Sequence, residues 1–101
     1  MLLGQVPKQP RESFKVGADF TRRFQAGESL AAITATSRNL NDGSDTTAAF
    51  LTQASVSGAL AQVRLRSVGN APGETHRVQM RVVTSLGNTY EVEIDVVVSE
   101  T

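Results

Sequence analysis

The sequence predicts an all-β domain, a sandwich of two antiparallel sheets with about seven strands. Three observations carry that expectation. Apolar and charged residues alternate with a period of two over residues 76–98, as a half-buried antiparallel pair requires. Clusters of Gly, Asn, Asp, Ser and Pro break the chain roughly every 8 to 15 residues, the rhythm of short strands joined by turns. No stretch shows a sustained helical period. A β-barrel is the competing architecture.

Taken in order, residues 1–12 carry Leu2, Leu3 and Val6, then Pro7 and Pro10, with little periodicity. They read as an extended arm, frayed or docked on a partner, ahead of a single domain over residues 13–101. Phe14, Val16, Ala18 and Phe20 share one face of a short strand. Residues 21–29 form a connection with a turn at Ala26-Gly27. A helix over residues 18–25 would be too short to hold. Leu30 to Ser37 reads as the next strand, and residues 39–45, NLNDGSD, as a surface loop. Residues 47–57 read as one strand or two short ones, with Phe50, Thr52, Ala54 and Val56 on one face. Residues 60–68 follow, with Ala61, Val63 and Leu65 inward and Gln62, Arg64 and Arg66 outward. Residues 69–73 make a loop.

The last two strands carry their own register. His76, Val78, Met80, Val82 and Thr84 face Tyr90, Val92, Ile94, Val96 and Val98, all even-numbered. Cross-strand partners therefore sum to an even number, which needs a loop with an odd count of residues. Ser85-Leu86-Gly87 fits, with glycine where φ > 0 is needed. That register sets Val82 against Tyr90, Met80 against Val92 and Val78 against Ile94. On the outer face it sets Arg81 against Glu91 and Arg77 against Asp95.

Composition excludes several functions. The chain has 101 residues, enough for one modest core. It has no cysteine, so no disulfide, iron–sulfur cluster or thiolate zinc site is open to it. Ten basic and ten acidic residues cancel, which argues against nucleic acid or an anionic membrane as partner. The first residues lack the basic and apolar regions of a signal peptide, and no apolar run approaches the length of a membrane span. Synthesis in a cytoplasm is the expectation.

The candidate sites are few. His76 is the one histidine, and with Ser67 or Ser85 and Asp95 it could be imagined as a hydrolytic triad. No nucleophile-elbow motif supports that, and a histidine at a strand end accounts for it. Asn41, Asp42 and Asp45 offer oxygen ligands for calcium, but the EF-hand spacing is missing. Arg64, Arg66, Arg77 and Arg81 would form a basic stripe if their strands were neighbours. Glycines 69 and 73 flank Pro72 without the phosphate-loop ending. No catalytic, metal or cofactor residue is assigned, and no small-molecule substrate is expected. Leu2, Leu3 and Val6 on the arm, and Val97 pointing outward among charges, are the candidate partner contacts.

One further reading rests on resemblance. Ala18-Asp19-Phe20-Thr21 leads to Phe24-Gln25-Ala26-Gly27-Glu28-Ser29-Leu30, then Val63-Arg64-Leu65 runs into a Gly-rich loop. The chain closes through Val82-Val83-Thr84-Ser85-Leu86-Gly87-Asn88 and a charged, valine-rich strand. This order resembles a family of small immunoglobulin-like structural proteins of tailed bacteriophages and prophages, of the head–tail or tail–fibre adaptor type. The resemblance spans roughly residues 8–98. Its most telling pieces are the DF…GES segment over residues 19–29 and the T-S-x-G hairpin over residues 84–87. Thr36 and His76 stand where such domains often carry aromatics. The resemblance implies an immunoglobulin-like β-sandwich without an active site, made in the bacterial host cytoplasm and built into the virion. Neighbouring virion proteins would be its partners, with homo-oligomers in the particle. The alternative is a module recognising host-surface carbohydrate. Sugar sites stack on exposed aromatics, and this chain has four Phe, one Tyr and no Trp.

Overall fold

A computed structural model describes residues 2–100. Seven strands form two sheets: β1 Leu2–Lys8, β2 Phe14–Asp19, β3 Leu30–Asn39, β4 Leu51–Ser57, β5 Leu60–Leu65, β6 Thr75–Thr84 and β7 Thr89–Val98. One sheet has the order β1-β7-β6-β3 and the other β2-β5-β4. The expected all-β, immunoglobulin-like sandwich is therefore present. It departs from the constant-type arrangement, in which the first strand pairs with the second; here β1 crosses to the other sheet and runs parallel to β7.

The closing hairpin has the register its side chains demand. Val82 faces Tyr90, Met80 faces Val92, Val78 faces Ile94, Arg81 faces Glu91 and Arg77 faces Asp95. At the turn, the Thr84 N–H donates to the Asn88 carbonyl at 2.8 Å and the Gly87 N–H to the Thr84 carbonyl at 3.0 Å. Gly87 sits at φ 83°, the conformation a side chain would strain. The inward residues of both strands meet β2 and β5. Val16, Ala61, Val63, Leu65, Val78, Met80, Val82, Val92, Ile94 and Val96 pack with Phe20 and Phe50 into one core.

Two expectations need correction. Residues 1–12 are not an arm separate from the sandwich: residues 2–8 form its edge strand, from Leu2 opposite Glu93 to Lys8 opposite Val98. The missed signal is the shared parity of Val6, half-buried on the core, and Lys8, which is buried. Prolines and a register shift between Leu2 and Gly4 hide the strand pattern. Residues 47–57 are not continuous strand either. Thr47–Phe50 is one helical turn, which drives Phe50 into the core, and β4 follows. The expected face of Thr52, Ala54 and Val56 is broken by a bulge between Thr52 and Ser55, where Gln53 takes φ 53°. A bulge on an edge strand locally disrupts its pairing and twists the edge away from other chains.

Candidate functional site

The four expected contact residues lie along one edge but do not form one patch. Leu2 and Leu3, 49% and 46% exposed, stand at the start of β1. Val6 turns inward and packs half-buried against the core. Val97 is half-buried on the opposite face, between Pro7 and Thr75. Of these four, the two leucines are the ones offered to a partner as exposed apolar surface.

At the hairpin end of the sandwich the sequence segments 19–29 and 84–87 meet. Asp19 Oδ1 accepts hydrogen bonds from the Thr21 N–H at 2.8 Å and the Thr21 hydroxyl at 2.5 Å. These fix the start of the 3-10 turn Thr21–Arg23. Glu28 is 8% exposed and lies between the two loops. Its Oε2 accepts from the Thr84 hydroxyl at 2.5 Å and from Asn88 Nδ2 at 2.8 Å. Its Oε1 accepts from the Gln25 N–H at 2.9 Å. The Ser85 N–H donates to the Ser29 carbonyl at 2.8 Å, and the Ser29 N–H returns a bond to Ser85 Oγ at 3.1 Å. Among the described residues the hydrogen-bond donors to Glu28 are neutral groups. The Thr84 hydroxyl foremost, then the Gln25 N–H, holds the Glu28 carboxyl below its ordinary range. Tyr90, stacked on Phe20, donates its hydroxyl to the Arg23 carbonyl at 3.2 Å. Leu86 projects from the apex, 52% exposed. Sequence reasoning marked both segments but missed that Glu28 joins them.

The opposite end is organised around Phe50. His76, wholly buried, packs on its ring at a 35° tilt with centroids 4.6 Å apart, so the imidazole fills a place where an aromatic is expected. Its Nε2 lies 2.9 Å from Glu74 Oε1 and its Nδ1 3.1 Å from Thr46 Oγ1, which in turn meets Ser37 Oγ at 2.7 Å. The bond to His76, ahead of one from the Ala71 N–H, lowers the Glu74 pKa. A carboxylate, an imidazole and hydroxyls thus stand in line, as a nucleophilic triad needs. His76 is the residue singled out from sequence, but its carboxylate and hydroxyl partners are Glu74, Thr46 and Ser37 and not Asp95 with Ser67 or Ser85. Asp95 is held by Arg77, whose Nε and Nη2 donate at 2.8 and 3.0 Å, and Ser85 is at the far end. Ser37 and His76 are sealed from solvent, at 4% and 0% exposure.

Lys8, 2% exposed, also lies against Phe50, with Nζ 5.5 Å from the ring centroid. Its ammonium donates to the carbonyls of Gln9 at 3.0 Å and Pro10 at 3.1 Å, and to Asn70 Oδ1 at 3.0 Å. Burial lowers its pKa, opposed by the charge of Glu12. Lys8 belongs to no motif, so nothing in the sequence but its inward parity could have marked it.

The basic stripe does not form. Arg64 lies on β5 and Arg66 just beyond it in one sheet, whereas Arg77 and Arg81 lie on β6 in the other. Arg77 and Arg81 instead face Glu91, Glu93 and Asp95 across the hairpin, and the contact with Asp95 raises the Arg77 pKa. In the loop over residues 39–45, Asp42 accepts from the Ser44 N–H and hydroxyl, and Asp45 from the Thr47 N–H. These bonds lower both carboxyls. Asn41 Oδ1 accepts from the Thr75 N–H at 3.3 Å. Among the described residues no group of three His, Asp or Glu is placed to hold a metal ion.

Comparison with known proteins accords with this geometry. A solved structure of murine CRIg superposes with a TM-score of 0.56 at 9% identity, covering 95% of this chain and 92% of that one; the likeness is one of fold. No curated protein sequence matches. The family model described as podophage GP4 fiber-tail adaptor protein gp77 matches residues 8–97, from the buried Lys8 to Val97 and across both loop segments joined by Glu28. The chain belongs to that fiber-tail adaptor family.

Proposed function

We propose that this chain is a non-enzymatic connector of a phage particle, joining fibre to tail through protein–protein contacts alone. One observation supports the contact surface above others. Strand β1 is the end of its sheet, and it carries two half-exposed leucines at its tip. An open edge of this kind pairs with a strand of a neighbour, the backbone supplying affinity and Leu2 and Leu3 the apolar anchors. Val97 borders the same edge, and Val6 holds the strand in place from within. The partners are neighbouring virion proteins, and copies of the chain assemble with the symmetry of the particle.

The carbohydrate reading lacks a stacking platform. Phe20 and Phe50 are buried, and Phe14, Phe24 and Tyr90 are half-buried against the core. The test is co-purification of the tagged chain with the tail and fibre proteins of the same particle, comparing wild type with Leu2→Asp/Leu3→Asp. Loss of capture with an unchanged melting temperature is the expected result. Capture indifferent to both substitutions would place the contact elsewhere.

A further inference from the structure

The Lys8–Asn70 contact has features that packing alone does not require. The amine is 2% exposed, covered by Phe50 and touched by neutral oxygens. Its Nζ lies 3.0 Å from Oδ1 of a side-chain carboxamide. That carboxamide is itself fixed, because Asn70 Nδ2 donates to the Pro10 carbonyl at 3.3 Å. An amine and a fixed carboxamide thus lie within hydrogen-bond distance in a water-poor site, and a small shift of Nζ from Oδ1 toward Cγ would bring the reacting atoms together, as a fast intramolecular reaction needs. We propose that Lys8 and Asn70 join covalently, Nζ attacking Cγ, to form an amide cross-link between β1 and the loop ahead of β6.

The chemistry balances without an oxidant or cofactor. The ammonium first gives up a proton, and the free amine attacks the Asn70 carboxamide carbon. A Nζ–Cγ bond forms, the Cγ–Nδ2 bond breaks, and the nitrogen leaves as ammonia after taking up a proton. In this scheme Glu12 relays that proton. Its charge acts on Lys8, and its carboxylate is oriented by the Gln9 N–H at 2.7 Å. Burial in turn favours the neutral, nucleophilic amine. The product would fasten the edge strand to the body of the sandwich and close the chain from residue 8 to residue 70. A load pulling on β1 would then meet a covalent bond instead of a ladder of hydrogen bonds.

Intact mass of the full chain under denaturing conditions, followed after purification and prolonged incubation, reads the reaction directly. The expected result is the loss of one ammonia, with a branched peptide joining the Lys8 and Asn70 segments on digestion. Lys8→Arg and Asn70→Ala, each checked for folding by thermal melt, should keep the full mass. Asn70→Asp should cross-link with loss of water. Glu12→Gln should slow the reaction about a hundredfold if that carboxylate relays the proton; an unchanged rate would overturn its part. Full mass in folded wild type would overturn the proposal. So would an ammonia loss that persists in Lys8→Arg, since that identifies a succinimide at asparagine.

Discussion

The two ends of the sandwich solve the same problem with opposite charges. At the hairpin end a buried carboxylate, Glu28, is held by neutral donors from two loops. At the far end a buried ammonium, Lys8, is held by neutral acceptors beside an aromatic ring. Among the described residues the hydrogen bonds of each go to neutral groups, and each ties together segments remote in sequence. The difference lies in what surrounds them. Glu28 is a hub of hydrogen bonds and organises backbone turns, whereas Lys8 and His76 are spread over Phe50 and depend on packing. One end should therefore respond to pH and turn chemistry, the other to loss of volume.

The largest effect expected is at the packed end. Phe50→Ala removes the ring that His76 packs on and Lys8 lies over, at a residue with no exposed surface. Emptying such a site costs about 3–5 kcal/mol, measurable by denaturant unfolding. A loss below about 1 kcal/mol would show that the polar bonds of Lys8 and His76 hold that end without the ring. At the hairpin end the matching experiment is Gly87→Val. No atom lies within 4 Å of the added Cβ, so the penalty comes from forcing a β-branched residue to φ 83°. It should be about 1–2 kcal/mol, read as a lower melting temperature. An unchanged melt would mean that the turn relaxes freely and that Glu28 is not anchored by it.

The same contrast explains what could be read from the sequence. Strand parity gave the β6–β7 register residue by residue, because a one-residue slip would bury Arg77, Arg81, Glu91 and Asp95. The turn at Gly87 followed from counting. β1 was illegible because Pro7, Gly4 and a bulge erase alternation, and because its partner β7 lies most of the chain away. The helical turn Thr47–Phe50 was illegible because four residues carry too little periodicity to oppose the alternation of Phe50, Thr52, Ala54 and Val56. Glu28 and Lys8 were missed as hubs for one physical reason. A buried charge satisfied by neutral groups has no counter-charge in the sequence to announce it, and its partners are set by tertiary contact.

pH separates the two hubs. Glu28 has its pKa depressed from 4.5 by the hydrogen bonds of the folded state. Its contribution is complete above the unfolded value and is lost as pH falls through the lower, folded value. Glu74, Asp19, Asp42 and Asp45 are depressed as well and act in the same direction. Stability should thus decline on acidification below pH 4.5, with Glu28→Gln less stable at neutral pH and less sensitive to acid. Lys8, as a free amine, works the other way. Its pKa is depressed from 10.5 by burial, so the charged form is disfavoured in the fold and stability rises as pH climbs from the folded value toward 10.5. Lys8→Met should abolish that rise. Melting curves across the pH range test both, and an acid profile identical in wild type and Glu28→Gln would remove Glu28 from the account.

The smallest effect is expected where charge is paired but exposed. Arg81 Nε lies 3.6 Å from Glu91 Oε1, with side chains 63% and 45% exposed. The pair sits on the outer face of the hairpin whose turn Glu28 braces. In water the attraction is screened, and holding two long side chains costs entropy, so such a contact is worth about 0.2–1 kcal/mol. Arg81→Gln should lower the melting temperature only slightly at low salt and have no measurable effect at high salt. A salt-independent loss as large as that of Gly87→Val would mean that the outer-face charges, and not the buried carboxylate behind the turn, set the stability of the hairpin end. The contrast between the two ends would then rest on Phe50 alone.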